Sequence, residues 1–236
     1  MRRHPLAIVV FALALSATAA LAGPFRDAES QMRAAYADYR AALFRTNQND
    51  SAGSRAAIAA FGEKWQQLAA DWRRSPPPQY AEDPQLATTL DEVAQVNAEA
   101  ARLVEAGKVA DAHEVLEKIR DAIGALRARN GVVTFSDHMN AYHEQMEKVL
   151  LGSYEGYSPA GLLILREDVA VLAYLAEVLT KTRPAAEAAA IDQAIAPVLA
   201  SVEAVRSALA GGDATAIRNA VKALKPAYSR LFLRFG

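Results

Sequence analysis

Two histidines and two methionines fall within nine positions of "FSDHMNAYHEQMEKVL", residues 135–150: His138, Met139, His143 and Met146. Met139, His143 and Met146 stand at i, i+4 and i+7, a spacing that puts successive members on one helix face about 6 Å apart. Imidazole and thioether donors suit soft transition metals, Cu(I) first, and a chain with no cysteine offers no competing thiolate. His138 is the candidate fourth ligand. Glu144 and Glu147 stand where they could add an oxygen donor or hold an imidazole in one tautomer. The same stretch also has a plainer use. Phe135, Met139, Tyr142, Met146 and Val149 form an apolar stripe, and methionine is an ordinary gap-filler in a core.

His113 lies upstream. In an antiparallel hairpin turning near residue 132 it falls roughly 12 Å along the axis from His143, at 1.5 Å per residue, so the two are not expected to share one ion. Tyr36, Tyr39, Trp65, Trp72 and Tyr142 form a second constellation on inward stripes. They could line a cavity for a planar ligand, but core packing is the commoner use, with a partner for each O–H and N–H. Asn97 could bond such a ligand or fix helix register. No G-x-S-x-G, H-E-x-x-H, glycine-rich phosphate loop or paired E-x-x-H set occurs, and His143-Glu144 is half of a zincin motif because position 147 is Glu. The chain does not read as an enzyme.

The elements that must position these residues are helical. After residue 24 the hydrophobic rhythm is 3–4, and no stretch alternates as a strand would. A first helix over 24–47 turns Met32, Tyr36, Tyr39 and Leu43 inward. A second over 54–74 turns in Ile58, Phe61, Trp65, Leu68 and Trp72. "SPPPQYAEDP" breaks the chain, and Asp83-Pro84 reads as N-cap and first residue of a third helix with Leu86, Leu90, Val93, Ala100 and Leu103 inward. Gly107 suits the left-handed position that ends it.

A fourth helix over 108–129 turns in Val109, Leu116, Ile119, Ile123 and Leu126, and the 135–150 segment is the fifth. "GSYEGYSP" is a loop, and Ser158-Pro159 opens a sixth helix apolar on more than one face, expected to be buried from several sides. Arg183-Pro184 and Gly211-Gly212-Asp213 set off a seventh and an eighth, with Pro197 and Pro226 inside them.

The fold class is therefore all-α, an antiparallel up-and-down helical bundle joined by short turns. A faint echo between 106–131 and 210–236, and between "AAYADY" and "NAYHEQ", suggests two tandem four-helix units. The boundaries are a 1–22 signal peptide, a first bundle over 23–131 and a second over 132–236, with one continuous domain as the alternative.

The leader "MRRHPLAIVVFALALSATAALAG" has a positive start, a short apolar run and an A-x-A site, the layout of a cleaved secretory signal. It places the chain in the periplasm. The apolar run is too short to span a bilayer, and no membrane span is expected after it. The 26 basic and 27 acidic side chains leave no basic patch of the kind nucleic acid needs. With no cysteine, disulfides, iron–sulfur clusters and covalent haem through C-x-x-C-H are excluded. The ending "KPAYSRLFLRFG", with Arg230, Phe232, Arg234 and Phe235, could dock on a partner or simply complement the helix dipole.

In its layout of exported, alanine-rich, antiparallel helices, the chain resembles the periplasmic cytochrome b562 and cytochrome c-prime group. The resemblance implies a metal-handling or electron-transfer neighbourhood. Met32 or Met139 could match the b562-type methionine, but helices 4 and 8 lack its histidine near their ends, and "AYSRLFLRF" lacks the cysteines and histidine of the c-prime ending. The expectation is thus a soluble periplasmic binding protein holding copper at His138, Met139, His143 and Met146. The rivals are a partner-interaction module of the envelope, as a homodimer through the helix at 160–181, and a non-covalent haem protein.

Overall fold

The structure, a computed structural model, describes residues 23–236; the signal peptide expected over 1–22 lies outside the described residues. Among the described residues the chain is all-α, with eight α-helices and no strand. The helices are α1 (Pro24–Asn47), α2 (Ser51–Arg74), α3 (Leu86–Glu105), α4 (Val109–Arg129), α5 (Phe135–Leu151), α6 (Pro159–Thr182), α7 (Ala188–Gly211) and α8 (Ala214–Phe235).

Local chemistry sets most of the boundaries. Asp50 opens α2 by accepting the Gly53 N–H at 2.9 Å, Ser158 opens α6 by accepting that of Gly161 at 3.1 Å, and Asp213 opens α8 through Thr215 at 2.9 Å. Each side chain satisfies an amide that the first helical turn cannot. Helix α3 departs from expectation, starting at Leu86 rather than at Pro84. Asp83 is committed elsewhere: one oxygen takes the Gln85 N–H at 2.9 Å, and the other takes Arg129 and Asn130 of the α4 end, each at 3.0 Å.

Within each half every helix pairs with the next, α4 also meets α1, and α8 also meets α5, so two four-helix rings close. Buried apolar side chains form two clusters, one within residues 28–126 and one within residues 135–231. The turns into the fourth helix of each ring correspond: Gly107 has φ 74° and Gly212 has φ 75°, the left-handed conformation that glycine adopts without steric cost.

The first core is aromatic. Tyr36, Tyr39, Phe61 and Trp65 run in sequence with ring centroids 4.9, 5.8 and 5.6 Å apart. Their polar atoms mostly find backbone: Tyr39 donates to Leu116 O at 3.1 Å and Trp65 to Leu90 O at 3.0 Å. The inward faces expected for α1, α2, α4 and α5 are buried throughout. On α3 the inward residue near the end is Val104, while Leu103 is half-buried.

Helix α6 corrects an expectation. Leu163, Ile164, Val171 and Tyr174 are exposed, by 47–62 %, because among the described residues α6 packs mainly on α5, α7 and the short 3₁₀ turn Tyr154–Tyr157. The stretch Ala185–Gly211 is long and apolar enough to cross a bilayer by composition, with a mean hydropathy of 1.4. Here its Ile191, Ile195, Val198 and Val205 belong to the second core.

Candidate functional site

The two bundles meet along α1 and α8, flanked by α4 and α5. Phe232 of α8 packs against both cores. Arg40 of α1 donates to the carbonyls of Leu233, Arg234 and Gly236, satisfying acceptors that the end of a helix leaves open. The basic-aromatic ending thus docks on the chain's own first helix.

Polar residues cross the same seam. Arg127 of α4 is 2 % exposed; it donates to Asp137 of α5 at 3.3 Å and its guanidinium lies 5.8 Å from the Tyr36 ring centroid. One α-helical turn pair earlier, Arg120 donates from Nη1 to His143 Nδ1 at 2.9 Å and from Nη2 to Glu117 at 3.0 Å. Burial works against the charge on Arg120, but Glu117 and its neighbours more than offset it and raise its pKa.

The His143 ring stacks on Tyr228 of α8, with centroids 5.3 Å apart and planes at 19°. Its Nε2 faces Glu147 at 3.5 Å, and Lys225 of α8 reaches the same carboxylate at 3.2 Å. The His143 hydrogen bond, helped by Lys225 and opposed by burial, holds the Glu147 carboxyl down to about 2. On the facing wall His113 shares its Nδ1 with Thr46 Oγ1 at 2.9 Å and turns Nε2 toward Glu117 at 3.8 Å. Burial, opposed by the nearby glutamates, lowers its pKa.

These groups line one cleft between the bundles. Its wide part encloses about 1000 Å³ and includes His113, Glu117, Arg120, His143, Glu147 and Lys225. A narrow inner part of about 60 Å³ reaches Met146, Tyr228 and Phe232.

Of the four residues with metal-ligand spacing, His143 and Met146 border the narrow inner part of the cleft, although Met146 itself has no exposed surface and belongs to the second core. Met139 has no exposed surface and sits in the second core, where its carbonyl accepts from Tyr228 at 3.1 Å. His138 is half-buried and lies off the cleft wall. Among the described residues no three His, Asp or Glu side chains stand as a metal-binding group. The tautomer matters as well. A guanidinium only donates, so Nδ1 of a neutral His143 carries the lone pair and Nε2 carries the proton.

The aromatic constellation serves packing. Trp72 donates to Gln31 at 3.1 Å, and Tyr142 stacks on Tyr228 at 5.4 Å. None of Tyr36, Tyr39, Trp65, Trp72 or Tyr142 lines the cleft. Asn97 donates to Ile58 O at 3.3 Å, joining α3 to α2. Sequence reasoning missed Arg120, Glu117 and Lys225, which have no motif; the available signal was that each sits beside an inward position on α4 or α8.

Compared with known proteins, the chain matches no family model, no curated protein and no solved structure.

Proposed function

We propose that the chain is a non-catalytic periplasmic binding protein that holds its ligand in the cleft between its two bundles. One observation carries this reading. Charged and imidazole groups from α4, α5 and α8 line an open cleft instead of being closed over by packing. Clefts at the junction of two units that bring a few polar groups together are where small ligands often bind.

Copper(I) is the ligand the donor set favours, with His143 and Met146 as the pair on one wall and His113 opposite. Loading His143 through Nε2 requires its proton to leave that nitrogen, which Arg120 opposes by occupying Nδ1. Arg120 therefore sets the threshold for binding. The test is Cu(I) titration of the purified protein against a competing chelator. The expected result is one sub-micromolar site that His143→Ala, Met146→Ala removes and Arg120→Gln tightens. No saturable site, or a site untouched by the double substitution, removes copper from the reading.

The exposed apolar stripe on α6 favours a second reading, a partner-interaction module that pairs with another copy through residues 160–181. Here Leu163, Ile164, Val171 and Tyr174 would be the contact. Sedimentation velocity over a hundredfold concentration range distinguishes the two, because only the second requires self-association.

A further inference from the structure

A second cleft opens at the other end of the seam, between the start of α1, the start of α5 and the end of α8, and encloses about 650 Å³. Its chemistry is unlike that of the first. Five arginines line it, Arg26, Arg33, Arg40, Arg127 and Arg234, against two glutamates, Glu29 and Glu187. Arg26, Arg33 and Arg40 stand seven apart on α1, two turns each, and so form one stripe.

The cations are not used up by the fold. Among the described residues Arg26, Arg33 and Arg234 make no ion pair with a carboxylate. Arg127, almost fully buried at the cleft floor, gives Nη1 to Asp137 while its Nε has no hydrogen-bond partner. Glu29 is occupied, accepting from Gln79 at 3.0 Å and Tyr80 at 3.1 Å. The α5 N-terminus also borders the cleft at Thr134, Phe135 and Ser136, but its first turn is already capped by the Asp137 carboxylate, which takes the Thr134 N–H at 2.7 Å.

Apolar surface stands beside this charge. Phe25 is 49 % exposed and Val133 is 68 % exposed, and both line the cleft, as do Phe135 and Phe235. Guanidinium forks match phosphate oxygens in pairs. Exposed apolar residues on the same wall match a hydrocarbon group better than water.

We propose that this cleft binds an anionic amphiphile, a phosphate headgroup on an apolar chain. The headgroup is held by Arg26, Arg33 and Arg234 above the buried guanidinium of Arg127, and the chain lies along Phe25 and Val133. A phosphate monoester suits the excess of cations better than a carboxylate, since it carries close to two charges near neutral pH. This site is independent of the copper reading and shares none of its ligands.

The probes are dodecyl phosphate below its micelle concentration, inorganic phosphate, and neutral dodecyl maltoside, each titrated calorimetrically into the purified protein. Dodecyl phosphate should bind at one site, with inorganic phosphate at least tenfold weaker and dodecyl maltoside not binding there. Arg26 and Arg33 are exposed, so Arg26→Gln, Arg33→Gln should fold normally while losing about tenfold in affinity for each charge-assisted bond removed. Arg127→Met should weaken binding further, and Val133→Asp should weaken dodecyl phosphate but leave inorganic phosphate unchanged. Equal binding of the neutral amphiphile, equal binding of inorganic phosphate, or indifference to the Arg26 and Arg33 substitutions would overturn the proposal.

Discussion

Arg120 of the first bundle donates its Nη1 proton to Nδ1 of His143 in the second, across 2.9 Å. The bond does two jobs: it ties α4 to α5, and it dictates which ring nitrogen of a neutral His143 carries a proton. Nitrogen-15 shifts of His143 should report the Nε2–H form. In Arg120→Gln the Nδ1–H form should gain population, and stability should fall by about 1–3 kcal/mol as a charged hydrogen bond is lost. Unchanged shifts in the variant would show that Arg120 does not govern the tautomer.

Acid should destabilise the protein in two stages. His113 has its pKa lowered by burial, so the unfolded chain binds protons that the folded chain refuses. Its contribution is complete above its unfolded value of about 6.5 and is lost as pH falls through the lower folded value. Glu147, held down to about 2, contributes fully above about 4.5 and loses its contribution between there and about 2, on the order of 1–2 kcal/mol after solvent screening. Denaturant midpoints measured from pH 7.5 to pH 2.5 should fall, and the first stage should flatten in His113→Gln. A flat profile in the wild-type protein would contradict both assignments.

The methionines should separate by role. Met139 and Met146 are both wholly buried among core side chains, so Met139→Ala, like Met146→Ala, should cost about 2–5 kcal/mol. Met139→Leu should cost less than about 1.5 kcal/mol and leave copper affinity untouched. Met146→Leu, similarly mild in stability, should lower copper affinity, because Met146 alone of the two lines the cleft. Copper binding that depends on Met139→Leu and not on Met146→Leu would return the metal to the other end of the stripe.

Gly161 has almost no room for a side chain: a Cβ there would lie 1.8 Å from Tyr154 O. Gly161→Ala should push the Tyr154–Tyr157 turn off the start of α6 and break the Tyr154 hydroxyl contact to Asp168, now 3.3 Å. The expected loss is about 2–3 kcal/mol, in the range of overpacking, read as a shift in Tm. A variant as stable as the parent would mean the turn can move freely.

The outer face of α6 should behave as an interface rather than as support. Val171→Lys, Tyr174→Lys touches exposed positions, so stability should change by no more than about 0.5 kcal/mol at each. Concentration-dependent association of the wild-type chain should vanish in that variant. A wild-type chain that stays monomeric at every concentration takes self-pairing off the list of functions.

What was readable beforehand followed periodicity. Helices whose burial comes from one stripe, such as α2 with Ile58, Phe61, Trp65, Leu68 and Trp72, were legible because a 3.6-residue rhythm and a core face are the same fact. Helix α6 was misread, since apolar residues on two faces are equally compatible with burial on both sides and with an uncovered outer face. The start of α3 falls later than Pro84 because Asp83 takes only the Gln85 N–H of the turn before the helix, while its other oxygen ties that loop to α4 through Arg129 and Asn130. Cleft residues were the least legible. His113, Glu117, Arg120, His143 and Lys225 come from three helices in two bundles, and their meeting depends on how the bundles dock, which no local pattern encodes.

The link from α4 to α5, Asn130 to Thr134, is short, and neither bundle alone contains either cleft. The two halves act as a receptor and its partner that never dilute apart. Tethering over a few residues gives an effective concentration in the millimolar range, so a weak, wet, ligand-sized seam can persist that two free proteins would not maintain. Severing that link while leaving both cores intact should abolish binding without abolishing folding, turning one binding protein into two inert ones.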